Sequence, residues 1–115
     1  MNIIAKSASI ADPMDMYNLT RSPDRRKLSD ATGEVLELDK WVVYSELNSK
    51  DEQVTLASLS TKDGRAFTTN SGNFIRDFTS AATMFSEFGT EFTTVEIVDG
   101  VSKNGRKFIT CKVVA

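Results

Sequence analysis

A chain of 115 residues with no histidine and one cysteine can fold as a single domain around its own core. It lacks the usual zinc ligands and the Ser-His or Cys-His pair of a nucleophilic enzyme. Its net charge of −2 argues against a uniformly basic nucleic-acid binder, no apolar run approaches the roughly 20 residues of a bilayer span, and the lone Cys111 excludes an internal disulfide framework and suits a reducing, cytoplasmic setting. The six glycines are scattered singly, so no glycine-rich phosphate loop occurs. No carboxylates fall in a recognisable catalytic spacing. The expectation is a protein that is not an enzyme and carries neither cofactor nor metal.

In chain order, Met1 to Lys6 has too short an apolar stretch for a secretory signal. Asp12 followed by Pro13 reads as an N-cap and first helical position, predicting a short helix through Leu19. The segment Thr20 to Lys27 carries four positive charges against one negative. No alternation supports a strand before Gly33, so residues 1–33 read as an N-terminal arm, either a lid over one end of the following domain or a part of its binding or assembly surface. Residues 34–115 read as that domain. Period-two runs predict strands at about Val35–Glu46, Gln53–Thr61 and Arg65–Thr69, and again near Phe92–Val101 and Arg106–Val114. Asp63-Gly64 and Asn104-Gly105 are hairpin turns between them. In the first strand Leu36, Leu38, Val42 and Tyr44 share one parity and Trp41 and Val43 the other, which predicts a bulge or sharp coil near Lys40–Val43. Phe74, Ile75, Phe78, Ala81, Ala82 and Phe85 recur at helical spacing, predicting an amphipathic helix over about Asn73–Phe88 with Asn70 or Ser71 capping it and Gly89 ending it.

Three strands, a helix and two strands is the order of the OB-fold, a small barrel used repeatedly to bind oligonucleotides. The sequence therefore predicts a mainly β protein: a five-stranded OB-fold barrel with one helix between strands three and four, plus the arm. Charge is unevenly distributed over it. From Ser71 to Asp99, Arg76 stands against Asp77, Glu87, Glu91, Glu96 and Asp99, whereas from Gly100 onward Lys103, Arg106, Lys107 and Lys112 meet no acid. A basic last hairpin can attract a phosphate backbone although the whole chain is acidic.

Binding single strands without sequence preference needs cations along a groove and flat rings on which bases stack. The strand aromatics are Trp41, Tyr44, Phe67 and Phe108, with Lys40, Arg65, Lys103, Arg106, Lys107 and Lys112 beside them. Arg21, Arg25 and Arg26 of the arm join the candidate set, with Lys27 beside them as a further phosphate contact. Aromatic residues also favour strands for packing alone, and Trp41 and Tyr44 fit core and platform equally. Phe108 is the strongest platform candidate, because its parity opposes Ile109 and Cys111.

These portions carry a resemblance. Lys40 to Tyr44, the Asp63-Gly64 turn with Phe67, Thr69 to Ser71 leading into the helix, and above all Ser102 to Phe108 resemble the small single-stranded-DNA-binding proteins of bacteriophages and prophages of Gram-positive hosts. Pro13 to Tyr17 and Thr20 to Pro23 are similar to the opening of some members. The resemblance implies a replication or recombination protein that coats transient single strands and has no catalytic residues. Host-type binding proteins recruit partners through a glycine-rich tail with an acidic tip. This chain stops at Val113-Val114-Ala115, so the expectation is that partners, or other copies in a homo-oligomer or cooperative array, dock on the barrel or the arm. The rival expectations are a protein-interaction barrel, such as a phage adaptor or structural protein, and a nuclease needing clustered carboxylates and a metal.

Overall fold

A computed structural model describes residues 1–114. The chain runs β1 (Asn2–Lys6), α1 (Pro13–Thr20), β2 (Arg26–Lys27), a 3-10 turn (Leu28–Ala31), β3 (Val35–Leu47), β4 (Gln53–Thr61), β5 (Ala66–Thr69), α2 (Gly72–Glu87), β6 (Thr94–Val101) and β7 (Lys107–Val113). The strands form a curled sheet, a half-barrel, in the order β2-β5-β4-β3-β6-β7, with β1 paired to β3. There are seven strands rather than five, because two lie in the first 33 residues. β1 pairs antiparallel with β3 and the two-residue β2 pairs parallel with β5. Neither has an alternating pattern of its own; each exists because a longer strand offers it a free edge.

The long strand β3 organises the sheet. Its start, Val35–Glu37, pairs with β6, while Leu38–Leu47 pairs with β4. Between Leu38 and Lys40 the ladder to β4 advances two residues on β3 and one on its partner, so Asp39 is a one-residue bulge. Such a bulge reverses the facing of everything after it. Leu36 and Leu38 before it therefore share the main core with Trp41 and Val43 after it. Val42 and Tyr44 are turned to the opposite face, where Ile10 and Leu19 cover them.

Helix α2 closes the bottom of the half-barrel. The Ser71 hydroxyl accepts from the amide of Phe74 and caps its start. Its end is a Schellman motif: Gly89, at φ +73°, donates to the Ser86 carbonyl, and Thr90 donates to that of Phe85. A residue with a side chain would be strained at that φ. Phe74 and Phe78 are fully buried beneath it. Phe78 meets Trp41 edge-on at 4.9 Å between ring centroids and Phe92 at 5.2 Å, contacts each adding about 0.5–1.5 kcal/mol to the area they bury.

The sheet does not close on itself. No ladder joins β5 to β7 among the described residues; the Ser71 hydroxyl donating to the Ile109 carbonyl at 3.2 Å is the link across that seam. On the β5 side the segment Arg25–Ala31 is drawn in by β2 and by Leu28 and Ala31, which join the main core.

Candidate nucleic-acid interface

The surface is concave in several places, among them a hollow of about 800 Å³ where Arg26, Lys40 and Arg65 stand among Asp15, Asp24 and Asp39, and along the open seam. At the seam one hollow of about 560 Å³ lies between Arg25–Lys27 and the floor of β4 and β5, including Leu56, Thr68 and Asn70. A second, of about 610 Å³, lies between Asn70 and the start of β7, with Lys107 and Phe108 on its far wall. Ser29, Thr69 and Asn70 line both, so the two form one cleft running from β2, past the end of β5, to the last hairpin.

Cations stand on both banks. Arg26 and Lys27 are exposed and Arg25 is half-buried. Lys107 is exposed on the other bank, and Lys103 and Arg106 extend that side along the hairpin turn. None of these six forms an ion pair within the described residues. Asp99 is the acid on the second wall. Arg25 is held in place, its Nε donating to the Ser22 carbonyl at 3.0 Å and its Nη1 to the Thr68 hydroxyl at 3.0 Å.

Phe108 is half-exposed and faces away from Ile109, as its parity predicts. It pairs across the ladder with Gly100, and a Cβ on that glycine would stand 2.5 Å from the ring. Only a residue without a side chain lets the ring lie down so closely.

The other three aromatic candidates are core. Trp41 is 5% exposed, Phe67 2% and Tyr44 0%, and a ring with no free face cannot receive a base. For Trp41 the cause is the Asp39 bulge, which turns it inward onto Phe78. Phe67 is covered by the arginine beside it, the Arg65 guanidinium lying 5.5 Å from the ring centroid.

Three candidate cations are also neutralised. Arg65 binds Glu34 at 2.9 Å and Asp63 at 3.1 Å, and its hydrogen bonds, Asp63 first, raise its pKa. Asp63 is held below the usual carboxylate range by the Thr61 hydroxyl and then by Arg65. Arg21 binds Glu46 at 3.0 Å, and Lys40 binds its neighbour Asp39 at 3.1 Å. Lys112 is opposite Glu96 in the β6–β7 ladder and lines neither hollow. The cleft residues that the sequence does not mark as candidates are Thr68 and Asn70, ordinary polar residues that carry no signal of their own.

Among the described residues no helix is long and apolar enough to cross a membrane, and no group of three or more His, Cys, Asp or Glu is placed to hold a metal ion. No curated protein and no solved structure matches the chain. A family model described as phage single-stranded DNA-binding protein matches residues 6–114. With that match over nearly the whole chain, the protein belongs to the phage single-stranded DNA-binding protein family.

Proposed function

We propose that the protein coats single-stranded DNA without strong sequence preference during phage DNA replication or recombination, in the host cytoplasm, and that it performs no chemistry on the strand. In this reading the half-barrel is an OB-type barrel left open at the β5–β7 seam, and the strand follows the cleft. The carrying observation is the pairing of unpaired cations on both banks with one half-exposed ring on a glycine. Backbone phosphates are held by charge, and a base stacks on Phe108 through its π-face, which every base possesses. Asn70 adds amide groups that tolerate any base edge. Coating a long strand sets copies side by side, so titrations on long and short oligonucleotides measure any cooperativity between them.

Stacking needs a free base face, which a duplex does not offer. The test is competition between an unstructured oligothymidine and a matched duplex of equal length. The oligothymidine is expected to win. Equal or tighter binding of the duplex refutes the reading. A protein-interaction barrel, the alternative, predicts that neither nucleic acid binds.

A further inference from the structure

The face of β3 and β4 turned away from the main core carries Val42 and Leu56 beneath Ile10 and Leu19, yet a line of hydroxyls crosses it. The Tyr44 hydroxyl lies 3.4 Å from Ser58 Oγ, and Ser58 Oγ lies 3.1 Å from Thr68 Oγ1. Thr68 Oγ1 then accepts the Nη1 bond of Arg25 at 3.0 Å. Tyr44 and Ser58 are both 0% exposed, so neither can touch a ligand. Each hydroxyl has one proton and two lone pairs. With one lone pair of Thr68 committed to the guanidinium, the Thr68 proton is free to go to Ser58. Ser58 and Tyr44 then share the remaining contact. A chain of three adjacent strands thus ends on one cation of the cleft.

We infer that Tyr44, Ser58 and Thr68 are positioning residues that hold the Arg25 guanidinium in the cleft so that its remaining N–H groups face the DNA backbone. The inference rests on the cleft being the DNA site. Nε and Nη1 are spent on Ser22 and Thr68, which leaves Nη2 for a phosphate. An arginine fixed before binding loses less rotamer freedom when it engages. Tyr44 and Ser58, both fully buried, supply that fixation from behind Thr68, which lines the cleft. Tyr44 thereby acts on binding without being a stacking platform.

The experiment is a double-mutant cycle between Ser58→Ala and Arg25→Ala, read as affinity for a short oligothymidine and as the slope of log affinity against log salt. With Arg25 present, Ser58→Ala should weaken binding about threefold to tenfold, the range of one neutral hydrogen bond. It should also lower the slope by up to about 0.7, the value of one phosphate contact on a single strand. With Arg25→Ala in place, Ser58→Ala should change neither. Equal losses in both backgrounds overturn the inference, because they mark a general effect on the fold. A loss for Arg25→Ala with none for Ser58→Ala overturns the positioning role and leaves the cleft standing. No loss for Arg25→Ala overturns the inference together with the Arg25 bank of the cleft. Should Ser58→Ala fail to fold, Thr68→Val, which replaces the hydroxyl by a methyl, takes its place in the cycle and must lose affinity with Arg25 present and none beside Arg25→Ala; equal losses, which mark a direct contact by Thr68, or no loss in either background, refute the inference equally.

Discussion

Two strand aromatics, Phe108 and Trp41, each following a lysine, have opposite fates in this protein, and substitutions separate them. Phe108→Ala should weaken oligonucleotide binding by about 1–3 kcal/mol, the usual cost of losing a base-stacking platform, with little change in melting temperature, since the ring is half-exposed. Trp41→Ala should destabilise the fold by about 3–5 kcal/mol, and Trp41 emission should be blue-shifted and change little on adding oligothymidine, since no base reaches it. Calorimetry and fluorescence titration of the two variants check both outcomes. The facing of Phe108 is legible in the sequence because the β6–β7 ladder runs without a bulge. That of Trp41 is not, because one extra residue at Asp39 reverses the parity, and the pattern reveals that a bulge is needed without saying which residue it extrudes. Cys111 offers a second test at this scale. Burial, and then the negative charge of Asp77, push its thiol from 9.0 up to about 11. The folded state disfavours the thiolate, so this contribution to stability is complete below about pH 9 and is lost as pH rises through about 11. The alkaline fall in melting temperature should be smaller in Cys111→Ala than in the parent protein, and alkylation of Cys111 at neutral pH should be slow.

The elements of the N-terminal third are held by others rather than by their own sequence. β1 has five residues and β2 two, far too little to stand alone, and α1 buries only Leu19 and Thr20. The capped start of α1 at Asp12 and Pro13 was readable, and so were α2 with its Ser71 cap and Gly89 stop, since capping is a local matter of a few residues. The pairing of β1 with β3 and of β2 with β5 was not, because it depends on which edges the rest of the sheet leaves free. The consequence is a prediction about truncation. Deleting residues 1–30 uncovers Val42 and Tyr44 and removes Leu28 from the main core. Burying one such aliphatic side chain is worth about 1.5–3 kcal/mol, so the truncated chain should melt well below the parent protein. A deletion confined to residues 1–6 removes β1 alone and should cost less. A truncation to Asp30 with an unchanged denaturant midpoint would mean that this face tolerates exposure.

At the scale of the whole molecule an acidic protein binds a polyanion, and arrangement resolves the contradiction. The acids of the segment Ser71 to Asp99 lie mostly on α2 and β6, while the cleft gathers its cations from two distant places, Arg25–Lys27 and Lys107, with Lys103 and Arg106 on the turn that adjoins the second. The second place is legible in the clean charge change after Asp99. The first is legible only as part of a basic arm, because nothing local reveals that β2 brings those residues to the seam. Charge alone marks Arg21, Lys40 and Arg65 as well, whose partners Glu46, Asp39 and Glu34 are fixed by folding, two of them far off in sequence. The count of cations therefore has a measurable form. A single strand releases counterions with a slope of about −0.7 per phosphate neutralised, so the four unpaired cations that line the cleft, with Lys103 and Arg106 on the adjoining turn, bound the log–log salt slope at about −4. Arg26→Ala, Lys27→Ala and Lys107→Ala should each reduce its magnitude by up to about 0.7 and weaken binding alike for all base compositions. Arg21→Ala and Lys112→Ala should leave the slope unchanged, since the one is committed to Glu46 and the other lies outside the cleft. Titrations of oligothymidine at four salt concentrations measure all five variants. A slope much steeper than −4 would place further cations in contact with the strand and shift the DNA path off the seam; a lowered slope for Arg21→Ala would mean that its pair with Glu46 opens when DNA binds.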